Sequence, residues 1–510
     1  MIDALYILIV ALVIYKTAQF VHRKSLEKKH HCQPVKQIPL VSILSGLGFD
    51  MFFKDTAEMT KNGGLHKKLQ QMLESLQTTT FRSRMLTGSQ IVTMEPENER
   101  TMCSSAHMKD WTIGYRPFAL KPLLGDGIFS SEGESWKHSR IMLRPIFAKE
   151  HIKQITAMEP YMLLLIEIIK SSSANEGPVD LQPLFHAFTI DYASDFLFGE
   201  SCDVLKENLG GKSTSGMDAQ VKRDFASVFN DVQNYLTKRM MLGPLAFLVS
   251  SKDFHDGIKK QHEFVSYFVQ KAISMSDEEL NDESKNYVFL YQLAKQTKDA
   301  KVLQDELLSI LLAGRNTTAS LLSFLFFELS HHENVWTTLK EVVDQSFPDV
   351  ESITFETIQN CDYLRWCLFE SLRVNPSVPF NSRTANKDTI LPRGGGEDCS
   401  HPILVKKGDQ VLFPLYASNR QEKYFGRKPE EFIPERWRDL PKTGGPAFMP
   451  FSTGPRMCLG QQFALIEASY VTIRLVQTFS KLKSHSLEYA PKRLVAATIR
   501  LIDGCFVSFE

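Results

Sequence analysis

Residues 304–329 are apolar on nearly every face of the helix they would form. Leu307, Leu308, Leu311, Leu312, Leu321, Leu322, Phe324, Leu325 and Phe326 leave no continuous polar stripe. A helix of this kind is normally buried, so it requires a large body of protein around it. A second membrane span is disfavoured, because Arg315, Asn316, Thr317 and Thr318 interrupt the middle of the run. The remainder reads mostly helical, with short strand-like pieces at 402–405, 409–415 and 494–502 and no internal repeat. The expectation is one large domain, mainly α with small β-sheets.

Charge and cysteine content narrow the function. Lys+Arg and Asp+Glu are both 59, so the net charge is zero. A nucleic-acid partner is not expected without a basic excess or stripe. The eight cysteines include no C-x-x-C pair and no zinc-type spacing with histidine. Buried free thiols are expected for all of them except Cys458. The stretch 209–216, LGGKSTSG, is not a phosphate-binding loop, since Lys206 stands where that motif needs glycine. It reads as a surface loop, and Gly394, Gly395 and Gly396 as another.

The chain opens with a second apolar run. Residues 4–15 carry no charge, and Lys16, His22, Arg23, Lys24, Lys28, Lys29, His30 and His31 follow. Positive charge directly after a span places that side in the cytosol. A cleavable leader would carry its charge before the apolar run and small residues after it. The expected organisation is a membrane signal-anchor at 1–24, a basic hinge at 25–40 containing Pro34 and Pro39, and the main domain at 41–510. A helix lying in the membrane interface is the competing interpretation.

The richest chemistry lies in 451–465, FSTGPRMCLGQQFAL. Residues 460–475 are helix-like, which puts Cys458 at a helix N-terminus. Backbone N–H groups and the helix dipole there favour an anionic sulfur. That help matters, since a free thiol titrates near about 8.5. A thiolate so placed can hold a haem iron and favours O–O cleavage on it. Phe451 can shield the sulfur from water, and Gly454 permits a tight turn. Arg456 can pair with a haem propionate. Gly460 would let the following helix approach the porphyrin closely.

Phe451, Gly454, Arg456, Cys458 and Gly460 at these spacings resemble the haem-binding signature of the cytochrome P-450 family, and further motifs agree. Glu370-Ser-Leu-Arg373 is similar to the family's E-x-x-R, with Arg436 in Pro434-Glu-Arg436-Trp437 suited to join it. The resemblance implies a structural triad behind the haem. Trp136-Lys-His-Ser-Arg140 is similar to W-x-x-x-R, and Trp136, Arg140 and Arg383 are implied propionate contacts. Ala313-Gly314-Arg315-Asn316-Thr317-Thr318 is similar to the family's oxygen-side motif. Gly314 is implied to open the helix for dioxygen, and Thr317 to guide protons to it. Asn316 departs from the pattern, which has an acid there; it cannot release a proton but can order a water.

The resemblance spans residues 40–510 and extends to the fungal alkane- and fatty-acid-hydroxylating branch, through 121–129, 136–145, 389–396, 313–319 and 454–464. It implies the haem-thiolate fold and a monooxygenase acting on an aliphatic C–H bond of a long-chain, lipid-like substrate. Ala313 and Phe380 are candidate pocket residues. Electrons are implied to come from NADPH through a separate cytochrome P-450 reductase, docked near Lys423, Arg427 and Lys428. The implied location is the endoplasmic reticulum membrane, with the catalytic domain cytosolic. Two other functions compete: tailoring oxidation of a secondary metabolite in a fungal biosynthetic pathway, and a haem-thiolate isomerase or non-catalytic haem binder.

Overall fold

A computed structural model describes residues 2–38, 64–85, 88–147, 155–174, 177–211, 216–282, 287–486, 489 and 491–510. The apolar run at 304–329 forms the middle of one helix, Ala300–His331, hereafter the central helix. Its N-terminus is capped by the Asp299 carboxylate, which accepts from Lys301 and Val302 N–H groups. Leu307, Leu311, Leu322, Phe324, Leu325 and Leu329 on it are fully buried. The helix joins two parts of the core. Leu303, Leu307, Leu308 and Leu311 pack with Phe225, Phe264 and Leu293. Leu321 to Leu329 pack with Phe185, Trp336, Leu368 and Val471.

Four helices matter most around it. Ala219–Leu242 is the roof helix, capped by Asp218. Leu181–Phe198 packs extensively along the central helix. Asp362–Val374 carries Glu370 and Arg373. Gln461–Thr478 is the ligand helix, with Gly460 at its N-cap. Strands are few and short. The largest sheet has six, ordered Lys36–Gln37, Thr80–Met85, Gly88–Thr93, Gln410–Pro414, Phe380–Ala385 and Trp111–Thr112. The hairpin Arg493–Val495 with Ile499–Leu501 forms another small sheet. This is the expected mainly-α body with small sheets.

Three local expectations need correction. The N-terminal helix runs Ile2–Lys29, past residue 24 and through most of the basic stretch. The residues after it are not a free hinge. Gln33 N–H donates to Pro402 O at 2.9 Å, Pro34 O accepts from Gly396 N–H at 3.1 Å, and Lys36–Gln37 pairs with the sheet. The helix ends before Pro34 as that residue requires, and strand pairing and these bonds fasten the segment to the body. Pro39 and the expected domain start at 41 lie outside the described residues. Gly394 and Gly395 end the strand Thr389–Gly395 instead of forming a loop. Gly394 has φ +105°, and a Cβ there would meet the Thr80 side chain at 2.5 Å. Close packing explains that glycine. Residues 212–215 of the 209–216 stretch also lie outside the described residues.

Two described helices are long and apolar enough to cross a membrane, Leu5–Lys29 and Ala300–His331. The second is mostly buried inside the body and the first is not.

Candidate haem-thiolate site

The ligand loop is held by its own backbone. Cys458 N–H donates to Phe451 O at 3.0 Å, and Met457 N–H to Gly454 O at 3.0 Å. Two residues adopt left-handed backbone, Ser452 at φ 59° and Gly454 at φ 71°. At Gly454 a Cβ would sit 1.8 Å from Cys103 O, so only glycine fits. The loop then delivers Cys458 just ahead of the ligand helix.

Cys458 is an exposed side chain in surface terms. Protein nevertheless surrounds its sulfur closely enough that burial pushes the thiol up. The Gly460 N–H and the Arg140 guanidinium pull the other way and favour thiolate. Among the described residues no cluster of His, Cys, Asp or Glu can hold a metal by itself. A single thiolate for an iron whose remaining ligands come from a porphyrin is compatible with that.

Arginines surround the same loop. Arg456 lies 4.3 Å from the Trp136 ring and donates to Ser131 O at 3.1 Å. Arg140 lies 5.8 Å from that ring and donates to Met457 O at 2.9 Å. Arg383 is buried and donates to Asn381 Oδ1 at 2.9 Å. Arg116, which carries no motif, belongs here too. Burial, then the charges of Arg383 and Arg456, lower it to about 10. Burial and Arg383 do the same to Arg456, also to about 10. Among the described residues none of these four forms an ion pair with a carboxylate. Glu132 softens the charge on Arg116 and Arg456 from outside ion-pair range, and accepts from Ile113 N–H at 2.6 Å. Crowded guanidiniums of this kind call for an anion, and two propionates of a haem fit that demand. Trp136, Arg140 and Arg456 thus lie together beside the loop that carries Phe451, Cys458 and Gly460, with Arg383 close enough to lower Arg456.

The central helix passes unbroken through the oxygen-side motif. Gly314 does not open the helix. A Cβ added to it would meet nothing within 4 Å, so it leaves open space alongside. The Thr317 hydroxyl donates to Ala313 O at 2.8 Å, one turn back. Its lone pairs remain available as acceptors. Asn316 is buried, and its amide is engaged by protein at both ends. Nδ2 donates to Gln233 Oε1, and Oδ1 accepts from Arg315 at 3.2 Å. One N–H of Nδ2 and one lone pair of Oδ1 are thus engaged by protein. Ala313 is half-buried beside Gly314, and Phe380 is half-buried against the core.

Behind the loop the expected triad is present. Glu370 pairs with Arg373 at 2.8 Å and with Arg436 at 2.8 Å, all three well buried. Trp437 was not foreseen as a member, yet its indole N–H donates to Glu370 Oε2 at 2.9 Å. Its adjacency to Arg436 was the available signal. Lys423 and Lys428 are exposed; Lys428 pairs with Glu431 at 3.0 Å.

The comparisons agree with this geometry. The family model for cytochrome P450 matches residues 51–493. Cytochrome P450 52C1 of Candida tropicalis is 55% identical over 500 residues, covering 98% of both chains. Cytochrome P450 52A12 of Debaryomyces hansenii is 42% identical over 495 residues, covering 96% of this chain and 94% of that one. Cytochrome P450 52A10 of Candida maltosa is 42% identical over 518 residues, covering 99% and 98%. A thiol presented at a helix N-terminus and a group of arginines beside it accord with the match over most of the length, which shows that this chain belongs to the cytochrome P450 family of haem-dependent monooxygenases.

Proposed function

We propose that the protein inserts one oxygen atom of dioxygen into an aliphatic C–H bond of a long-chain fatty acid or alkane. Electrons come from NADPH through NADPH–cytochrome P450 reductase. The body sits at the cytosolic face of the endoplasmic reticulum membrane, anchored by Leu5–Lys29. The observation that carries this reading is the Cys458 loop with its arginine ring, in a chain resembling family-52 cytochromes from end to end.

Bound haem supplies the activation of dioxygen that C–H insertion requires. The protein's own residues do the rest. Cys458 would hold the haem iron through its thiolate, and the Gly460 N–H with Arg140 favours that negative charge. Arg116, Arg140, Arg383 and Arg456 would hold the propionates, and the Trp136 ring lies against the Arg140 and Arg456 guanidiniums. Phe451 packs beside the ligand loop and keeps water from the sulfur. Gly314 leaves room above the site. The Thr317 hydroxyl, held by Ala313 O, presents its lone pairs there and orients a proton source. Asn316 stands next to it, and its part is argued below. The apolar anchor brings the body to the phase in which such substrates dissolve.

The test is a carbon monoxide difference spectrum of the reduced protein, followed by turnover of palmitate with the reductase. A thiolate-type spectrum that Cys458→Ala abolishes is expected. A Cys458→Ala protein with that spectrum intact would refute the ligand assignment. A spectrum without palmitate or alkane oxidation would reject the substrate class alone.

A further inference from the structure

A ring of bonds closes beside the stretch of the central helix that carries Thr317. Asn316 Nδ2 donates to Gln233 Oε1 on the roof helix. One turn further along that helix, the Thr237 hydroxyl donates to Gln233 O at 2.9 Å. The same hydroxyl accepts from Ala497 N–H at 3.2 Å, in the turn of the C-terminal hairpin. Ile499 N–H donates to Ser377 O at 3.0 Å, and the Ser377 hydroxyl donates to Thr317 O at 3.1 Å. The ring therefore runs from central helix to roof helix, to hairpin, to the segment after Asp362–Val374, and back.

Of the other links, Ile499 N–H to Ser377 O is wholly backbone, and the rest join the Thr237 or Ser377 hydroxyl to a backbone atom. The Asn316–Gln233 link alone is made by two side chains. It is reinforced one residue earlier, where Arg315 donates to Asn230 Oδ1 at 2.7 Å and lies 4.6 Å from the Phe229 ring. Asn230 and Gln233 are three residues apart and share one face of the roof helix. Arg315, Asn316 and Gln233 are all at least nine-tenths buried. Amide-to-amide bonding in a dry site is directional, and leaving either partner single is costly.

These contacts assign position 316 a task other than proton transfer. An amide has no proton to deliver, and both ends of this one are taken by protein. We propose that Asn316 and Gln233 form a latch that holds the roof helix closed over the central helix. They are then positioning residues that keep substrate in the pocket. The link joins two amides, neither of which titrates.

The test is hydrogen–deuterium exchange on the full-length, haem-loaded protein without substrate. In Asn316→Ala and in Gln233→Ala, amides of the roof helix should exchange about five-fold faster, as expected for one buried bond. Peptides of the ligand helix should not change. The double variant should match either single one, because both changes remove the same bond. Asn316→Asp should stay near wild type, since a carboxylate can accept from a flipped Gln233 amide. Palmitate, as a probe, should leave the ferric protein faster in both alanine variants by the same factor. Silence of Gln233→Ala, additive effects, or equal acceleration in the ligand helix would overturn the latch. Exchange needs no substrate, so failure of palmitate to bind would count against the proposed substrate and leave the latch to the exchange data.

Discussion

The indole N–H of Trp437 donates to the Glu370 carboxylate at 2.9 Å. With it, Glu370 accepts from Arg373 twice at 2.8 Å, from Arg436 at 2.8 Å and from Ile433 N–H at 2.8 Å. Burial alone would raise this carboxyl, but Arg373 and Arg436 more than offset it and hold it below its usual range. Removing the charge leaves two guanidiniums buried without a counter-ion. Glu370→Gln should therefore destabilise the protein by about 3–5 kcal/mol, measured by urea unfolding. The folded-state value is depressed, so the stabilisation is present above the unfolded value of about 4.3 and lost as pH falls below it. The variant should show a shallower loss of stability on acidification than wild type.

Glu467 gives the opposite sign. It is buried on the ligand helix, and burial raises its carboxyl to about 8. A raised acid is stable while protonated, so its contribution is complete below about 4.3 and is lost as pH climbs toward the folded-state value. Glu467→Gln cannot ionise. It should match wild type near pH 5 and exceed it near pH 8, by on the order of 2–4 kcal/mol. Thermal melts across that range would show it; equal slopes for the two proteins would contradict it.

Gly454→Ala tests the ligand loop. The φ of 71° strains any side chain, and the new Cβ would lie 1.8 Å from Cys103 O. Backbone strain of about 1–3 kcal/mol precedes the cost of displacing the Cys103 backbone. A lower melting temperature and a weakened thiolate-type carbon monoxide spectrum are expected together. A variant with normal melting and spectrum would show that the loop relaxes freely.

Arg456→Lys keeps the charge but loses the flat guanidinium over Trp136 and the bond to Ser131 O. The stack contributes about 0.5–2 kcal/mol. Haem should leave the variant several-fold faster, as followed by capture with an apoglobin. An unchanged rate would show that charge alone holds this side of the group.

Much of this was readable from residue order because the signals are local. The central helix declares itself through leucines on every face, and the ligand loop through five residues within a stretch of ten. Glu370 and Arg373 are one turn apart, so their pairing follows from helix geometry. What escaped depends on distant partners. Arg116 has no motif, and only the folded chain brings it near Arg383 and Arg456. Gln233 is an unremarked residue on an amphipathic helix until the fold sets it against Asn316. The hinge misled for a similar reason. Pro34 signals a break in helix, but a break can still be stitched to a sheet by its neighbours' N–H and C=O groups.

That stitching governs how the body sits. Arg23, on the anchor helix, pairs with Asp388 at 2.9 Å. A few residues later the chain bonds to Pro402 and Gly396 and enters the six-stranded sheet. A loose tether would let the body tumble at the end of a string. This connection works like a bracket, so the tilt of the N-terminal helix is passed to the sheet and to everything packed on it. The length of the first apolar segment thus becomes part of the aim of the pocket. Adding or deleting one helical turn there would shift the body by about 5 Å along the axis of that helix.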